Sequence, residues 1–281
     1  MFSHAIVATD LGPSSEGIVA CAGELGLLGV RYATLVYAID LDREPSPADN
    51  AAFARQVDSL EAAGIRVHVE TPLGYAPHAI IALAEQYGAG LIVMGTRGQG
   101  LFHTGFSGSV SSDVIRLSPI PVLLMPSNHI ADACSGSDAC ARMLASVLVP
   151  VDVFGSSDRI CSLACGLSPR GVGSMELLHV TPFTFEAARE GREAQATERL
   201  EVLAERAREH GVRDVLASVV RGEAIEVLRQ RIASGDHTLV VLAPRAREIA
   251  GGEIGSVAGA IIQTSTIPML LAPMDVPVSS S

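Results

Sequence analysis

The chain contains no lysine, and all 20 of its basic residues are arginine. A P-loop needs a lysine on the β- and γ-phosphates, and a protein kinase needs one on a strand beside its nucleotide, so both readings fall away. Positive charge is scarce altogether: 31 Asp and Glu leave a net charge of −11. Nucleic-acid backbones are bound mainly through Lys and Arg that release counterions, so this balance weighs against a nucleic-acid partner. Long apolar runs are missing too, since no stretch nears the ~20 residues that span a bilayer. The opening Met1-Phe2-Ser3-His4 runs into a strand pattern without a secretory segment, so the expectation is a cytoplasmic protein with no membrane partner. Cysteine is sparse and odd in number, at Cys21, Cys134, Cys140, Cys161 and Cys165. A disulfide scaffold is not expected from it, and the cysteines read as buried or incidental thiols rather than as a metal or redox pair.

What is present points to a packed α/β chain. With 281 residues, 48% hydrophobic and 18% charged, there is room for two ordinary domains. Aligning the chain with itself reveals a repeat. Ala5-Ile6-Val7-Ala8-Thr9-Asp10 matches Val147-Leu148-Val149-Pro150-Val151-Asp152 at an offset of 142, and Ala33 to Ala38 matches Met175 to Val180 at the same offset. The offset grows to 148 at Gly74 and Gly222, and settles at 147 where Gly108-Ser109-Val110 meets Gly255-Ser256-Val257. Each copy reads as alternating strands and helices, with helical spacing at Phe53, Val57, Leu60 and Ala63 in the first and at Leu200, Leu203 and Ala207 in the second. Such alternation implies right-handed crossovers and a parallel sheet covered on both faces. The expected architecture is two tandem doubly wound domains, residues 1–127 and 145–275, joined by a linker over 128–144. Each is a five-stranded parallel sheet of order 3-2-1-4-5.

Chemistry concentrates after the fourth strand, Leu91-Ile92-Val93-Met94. There Gly95-Thr96-Arg97-Gly98, nine further residues and Gly108-Ser109 lead into a helix carrying Val110, Val114, Ile115 and Leu117. Glycine permits close backbone approach to a ligand, and a helix N-terminus favours an anion, so this loop suits phosphate. In the assumed strand order the first and fourth strands are neighbours at the switch point where ligands bind. Asp10 then faces the loop, with Ala38 as a third wall. Its carboxylate can accept from a base or a ribose, help hold a metal, or serve only as a cap or turn with Ser14. Arg97 is either a phosphate contact or a solvated loop residue. His103 reads as a surface histidine, and Ser109 as a phosphate donor or cap rather than a nucleophile. The arginines Arg189, Arg192, Arg199, Arg206 and Arg208, interleaved with glutamates, read as a solvated helix face.

Both copies resemble the universal stress protein family in tandem form. The pattern Gly-x2-Gly-x9-Gly-Ser of Gly95, Gly98, Gly108 and Ser109 is similar to the mark of its ATP-binding subgroup, supported by Asp10 and the closing Ile120-Pro121-Val122-Leu123-Leu124. By that resemblance, Thr9, Asp10, Ala38 and Met94 line the adenine and ribose end of a site. Gly95, Gly98, Gly108, Ser109 and Val110 hold ribose and phosphates. The implied ligand is ATP or AMP, with Mg2+ as an optional companion. The implied role is stress-response regulation with slow turnover at most, and the implied assembly is a homodimer or an intrachain pseudo-dimer. In the second copy Ala243 and Ala246 replace Gly95 and Gly98, and Pro244 stiffens the turn, so nucleotide is expected in the first copy only. Two other classes stay open: a ligand-free interaction or scaffold protein, and a nucleotide α-hydrolase-like enzyme or flavoprotein.

Overall fold

The computed structural model describes residues 2–39, 46–96, 110–126, 142–155, 157–183, 189–244 and 254–273. These divide into two compact units, the second running Arg142–Ala272. Arg97, Gly98, His103, Gly108, Ser109, Cys134, Cys140 and Ala246 lie outside the described residues, as does most of the expected linker.

The first unit runs β1 (His4–Ala8), α1 (Pro13–Ala20), α2 (Ala22–Leu27), β2 (Tyr32–Val36), α3 (Pro47–Ala62), β3 (Arg66–Glu70), α4 (Ala76–Gln86), β4 (Leu91–Gly95), α5 (Val110–Leu117) and β5 (Val122–Met125). Its strands are all parallel, in the order β3-β2-β1-β4-β5. The reason lies in the apolar runs. Ala5, Ile6 and Val7 of β1 and Leu91, Ile92 and Val93 of β4 are fully buried, as strands with helices over both faces must be. Each large aliphatic side chain buried in this way contributes roughly 1.5–3 kcal/mol.

Helix α3 shows how local sequence sets an element and tertiary packing chooses its face. Ser46 accepts from the Asp49 backbone N–H at 3.2 Å, Asp49 Oδ2 accepts from the Ser46 backbone N–H at 2.7 Å, and Pro47 follows in the first turn. The buried stripe is Ala52, Gln56 and Leu60, one residue away from the Phe53 and Val57 spacing read from the sequence. Phe53 instead meets the Tyr37 ring edge-on at 5.6 Å. Gln56 is 1% exposed, and neither atom of its amide has a hydrogen-bond partner among the described residues. Burying an unpaired amide costs about 1–3 kcal/mol, so Gln56→Leu is expected to raise the unfolding free energy by about 1 kcal/mol in urea denaturation.

The second unit repeats the plan with β6 (Ser146–Pro150), α6 (Asp158–Cys165), β7 (Ser174–Thr181), α7 (Arg189–Glu209), β8 (Asp214–Arg221), α8 (Ala224–Ala233), β9 (Leu239–Leu242), α9 (Ser256–Thr264) and β10 (Met269–Leu271). Its parallel pairings give β8-β7-β6-β9-β10, the same 3-2-1-4-5 order. Helix α7 buries Ala196, Leu200, Ala204 and Ala207. Cys161 and Cys165 do share a helix, α6, and both are buried. Burial, and then the neighbouring Cys165, push the Cys161 thiol up to about 12.

Candidate functional site

Strand β1 lies between β2 and β4, with Val7 level with Leu35 on one side and Val93 on the other. Residues leaving the C-terminal ends of these strands therefore share one crevice, the switch point of the doubly wound sheet. Thr9 continues the ladder, its backbone N–H donating to Val36 O at 2.9 Å. The chain then folds into a tight turn held by side chains. Thr9 Oγ1 accepts from the Leu11 N–H at 2.9 Å, and Asp10 Oδ1 accepts from the Gly12 N–H at 2.9 Å and from Ser15 Oγ at 2.5 Å. Ser15 Oγ in turn accepts from the Asp10 N–H at 3.0 Å. Ser15 thus supplies a hydroxyl that the turn uses.

This turn carries strain. Leu11 has φ 58, the only non-glycine among the described residues in the left-handed region. A side chain there costs roughly 1–2 kcal/mol, and such outliers concentrate at ligand sites. Leu11→Val, which adds a branch at Cβ, is expected to destabilise the chain by about 1–2 kcal/mol, whereas Leu11→Gly is expected to be neutral or stabilising by thermal melting.

Across the crevice, Met94 is buried and Gly95 half-buried at the end of β4. The Thr96 N–H donates to Met125 O at 3.1 Å, and Ser111 Oγ donates to Gly95 O at 3.0 Å. The second bond ties the first turn of α5 to the strand end from which the glycine loop departs. Ala38 stands half-buried just past β2, where the Ile39 N–H donates to Pro72 O at 2.9 Å. Thr9, Asp10, Ala38, Met94 and Gly95 thus come from three adjacent strand ends. Val110 opens α5, but 41% exposed, and Leu117 is 37% exposed. Of the four apolar residues read as one helical face, Val114 and Ile115 are buried, and the polar Ser111, Ser112 and Asp113 are buried beside them.

Tyr75, which no sequence motif marks, joins the loop after β3 to α5. The Tyr75 hydroxyl donates to Asp113 Oδ2, and Arg116 stands 3.4 Å from Asp113 Oδ1. The hydrogen bond to Asp113 raises the Tyr75 phenol pKa. A lone tyrosine after Gly74 carries no spacing that announces such a bond.

The second copy departs at the same place. Asp152 Oδ1 accepts from the Phe154 N–H at 3.1 Å, and its carbonyl accepts from the Gly155 N–H at 3.0 Å. Phe154 stands where the repeat puts Gly12, and His179 where it puts Tyr37. The Phe154 ring meets His179 edge-on at 5.5 Å, while His179 Nδ1 is 2.9 Å from Val151 O. After β9, Ala243 is half-buried, Pro244 is buried, and the Gly255 N–H donates to Pro244 O at 2.8 Å.

The family model for the universal stress protein family matches residues 1–126 and again 143–273. The chain belongs to the universal stress protein family. A curated relative, universal stress protein Sll1654 of Synechocystis, is 49% identical over 79 residues, which span 28% of this chain and 46% of that protein. The match therefore spans less than half of that relative's length. A solved universal stress protein from Archaeoglobus fulgidus covers 97% of this chain and 99% of its own at a TM-score of 0.74 and 21% identity, a likeness of fold. Another universal stress protein was solved in complex with cAMP; it covers 45% of this chain and 98% of its own at 24% identity and a TM-score of 0.37. Among the described residues of this universal stress protein, no helix is long and apolar enough to cross a membrane.

Proposed function

We propose that the first copy binds an adenine nucleotide, ATP or AMP, and that occupancy regulates the protein's contacts with little or no turnover. The observation that supports this best is the strained turn after β1, which holds Asp10 beside the strand end where the glycine loop begins. Thr9, Asp10, Ala38 and Met94 take the base and ribose. Gly95 and Val110, with Arg97, Gly98, Gly108 and Ser109 of the loop, take the phosphates. No described residue stands out as a base to position an attacking water, so any ATP hydrolysis is slow. Mg2+ is an optional companion of the phosphates.

The second copy does not take the nucleotide. Phe154 lies over the end of β7 where the first copy has Gly12, and Ala243 replaces the glycine at the end of β4. A Cβ at such a position obstructs close phosphate approach. The chain then works either as an intrachain pseudo-dimer or as a homodimer, which sedimentation separates by mass. Calorimetric titration with ATP and with AMP is expected to give one site per chain. Two equal sites, or none, would refute the reading.

A further inference from the structure

The first turn of α5 is polar where the matching turn of the second copy is not. In the first copy it reads Val110-Ser111-Ser112-Asp113, and Ser111, Ser112 and Asp113 are buried. At the offset of 147 the second copy has Val257-Ala258-Gly259-Ala260, and Gln263 in place of Arg116. Tyr75, whose hydroxyl donates to Asp113 Oδ2, is matched at the offset of 148 by Glu223. Glu223 instead caps its own helix, accepting from the Glu226 N–H at 3.0 Å. The buried carboxylate, its phenol and its arginine thus belong to the copy with the glycine loop, and the copy with Ala243 and Ala246 in that loop has none of the three.

We infer that Asp113 selects the nucleotide by charge, so that the first copy takes a nucleoside monophosphate in preference to a di- or triphosphate. This rests on the nucleotide reading of that copy. A glycine loop running into a helix start favours more phosphates, because a helix N-terminus carries roughly half a positive charge. Asp113 sets a full negative charge in that same turn, four residues past Ser109. Ser111 Oγ, which donates to Gly95 O at 3.0 Å, ties the turn to the strand end where the loop begins, so the carboxylate is held at the phosphate end of the proposed site. Its partners satisfy it without cancelling it. Tyr75 is a neutral donor, and Arg116 reaches Oδ1 at 3.4 Å with a side chain 43% exposed against 12% for Asp113. Solvent therefore screens the cation more than the carboxylate. Each further phosphate adds negative charge against Asp113, and the repulsion grows in proportion.

The test is calorimetric titration of the whole chain with AMP, ADP and ATP at low salt, without Mg2+ and then with it. Affinity is expected to fall in that order, with ATP about tenfold weaker than AMP or more, and Mg2+, which neutralises part of the ATP charge, is expected to narrow the gap. Asp113→Asn keeps an oxygen for the Tyr75 hydroxyl and loses the charge. It is expected to bring ATP within about threefold of AMP, by tightening ATP more than AMP. Tyr75→Phe keeps the charge and is expected to keep the preference, which separates charge from hydrogen bond. Asp113→Ala installs the residue that the second copy carries at this place, Ala260, and is expected to act as Asp113→Asn does, so misfolding of one variant leaves the other to decide. Thermal melting without nucleotide checks the fold of all the variants. ATP binding as tightly as AMP to the wild-type chain overturns the inference, and so does a preference that Asp113→Asn and Asp113→Ala leave unmoved. Either result leaves nucleotide binding standing, whereas absence of binding by AMP, ADP and ATP alike overturns both readings.

Discussion

Asp10→Asn is expected to weaken ATP and AMP binding about 10- to 100-fold while leaving the melting temperature almost unchanged. The amide retains an oxygen that can accept from the Gly12 N–H and Ser15 Oγ, so the turn after β1 survives. What is lost is the charge presented to the base and ribose end. A hydrogen bond to a charged group contributes about 1.5–3 kcal/mol, the source of the expected range. Asp10→Ala removes the acceptor as well and is expected to lower both affinity and stability, by about 1–3 kcal/mol for the latter. Calorimetry on the two variants separates the roles: full affinity in Asp10→Asn would show that the carboxylate serves only the turn.

His237→Leu is expected to destabilise the second unit by about 1.5–3 kcal/mol, the cost of losing a buried hydrogen bond to a charged group. Glu176 and His237 are 5% and 7% exposed, with Oε2 and Nε2 2.9 Å apart. An ionised carboxylate only accepts, so Nε2 carries the proton toward it, and in the neutral imidazole Nδ1 accepts from Ser146 Oγ at 3.1 Å. Arg231 stands 3.4 Å from the other carboxylate oxygen. Burial alone would push the Glu176 pKa up, but hydrogen bonds from His237 and Ser218 and the charge of Arg231 outweigh it and hold the pKa below the usual carboxylate range. A lowered folded pKa contributes stability that is complete above the unfolded value. That contribution is lost as pH falls through the folded one, so it is expected to hold from neutrality to about pH 4 and to decline below. The double variant His237→Leu/Glu176→Leu is expected to recover part of the loss, because it removes the buried carboxylate that has lost a hydrogen bond. Urea denaturation of the single and double variants measures both effects.

The covered parallel sheet was legible in the sequence because β1, β4, β6 and β9 are apolar runs and the repeat supplied each strand twice, whereas the strand order was an assumption that the pairings bear out. The site was legible in part, because Asp10 and Gly95 end neighbouring strands. The roles of Ser15 and Tyr75 were not, since each depends on where a turn aims a hydroxyl. The Glu176 pair was hidden for a related reason. Its partners Arg231 and His237 follow 55 and 61 residues later, and a lone glutamate in an apolar strand gives no sign of them.

The Tyr75–Asp113 hydrogen bond gives the protein a signal of its own. The chain has no tryptophan and four tyrosines, so its near-ultraviolet emission comes from very few rings. Tyr75 is 55% exposed, and its phenol is tied to a carboxylate on α5, the helix joined through Ser111 to the end of β4. Any displacement of α5 changes the acceptor of that phenolic proton and with it the brightness of the ring, so events at the glycine loop are readable by light without a label.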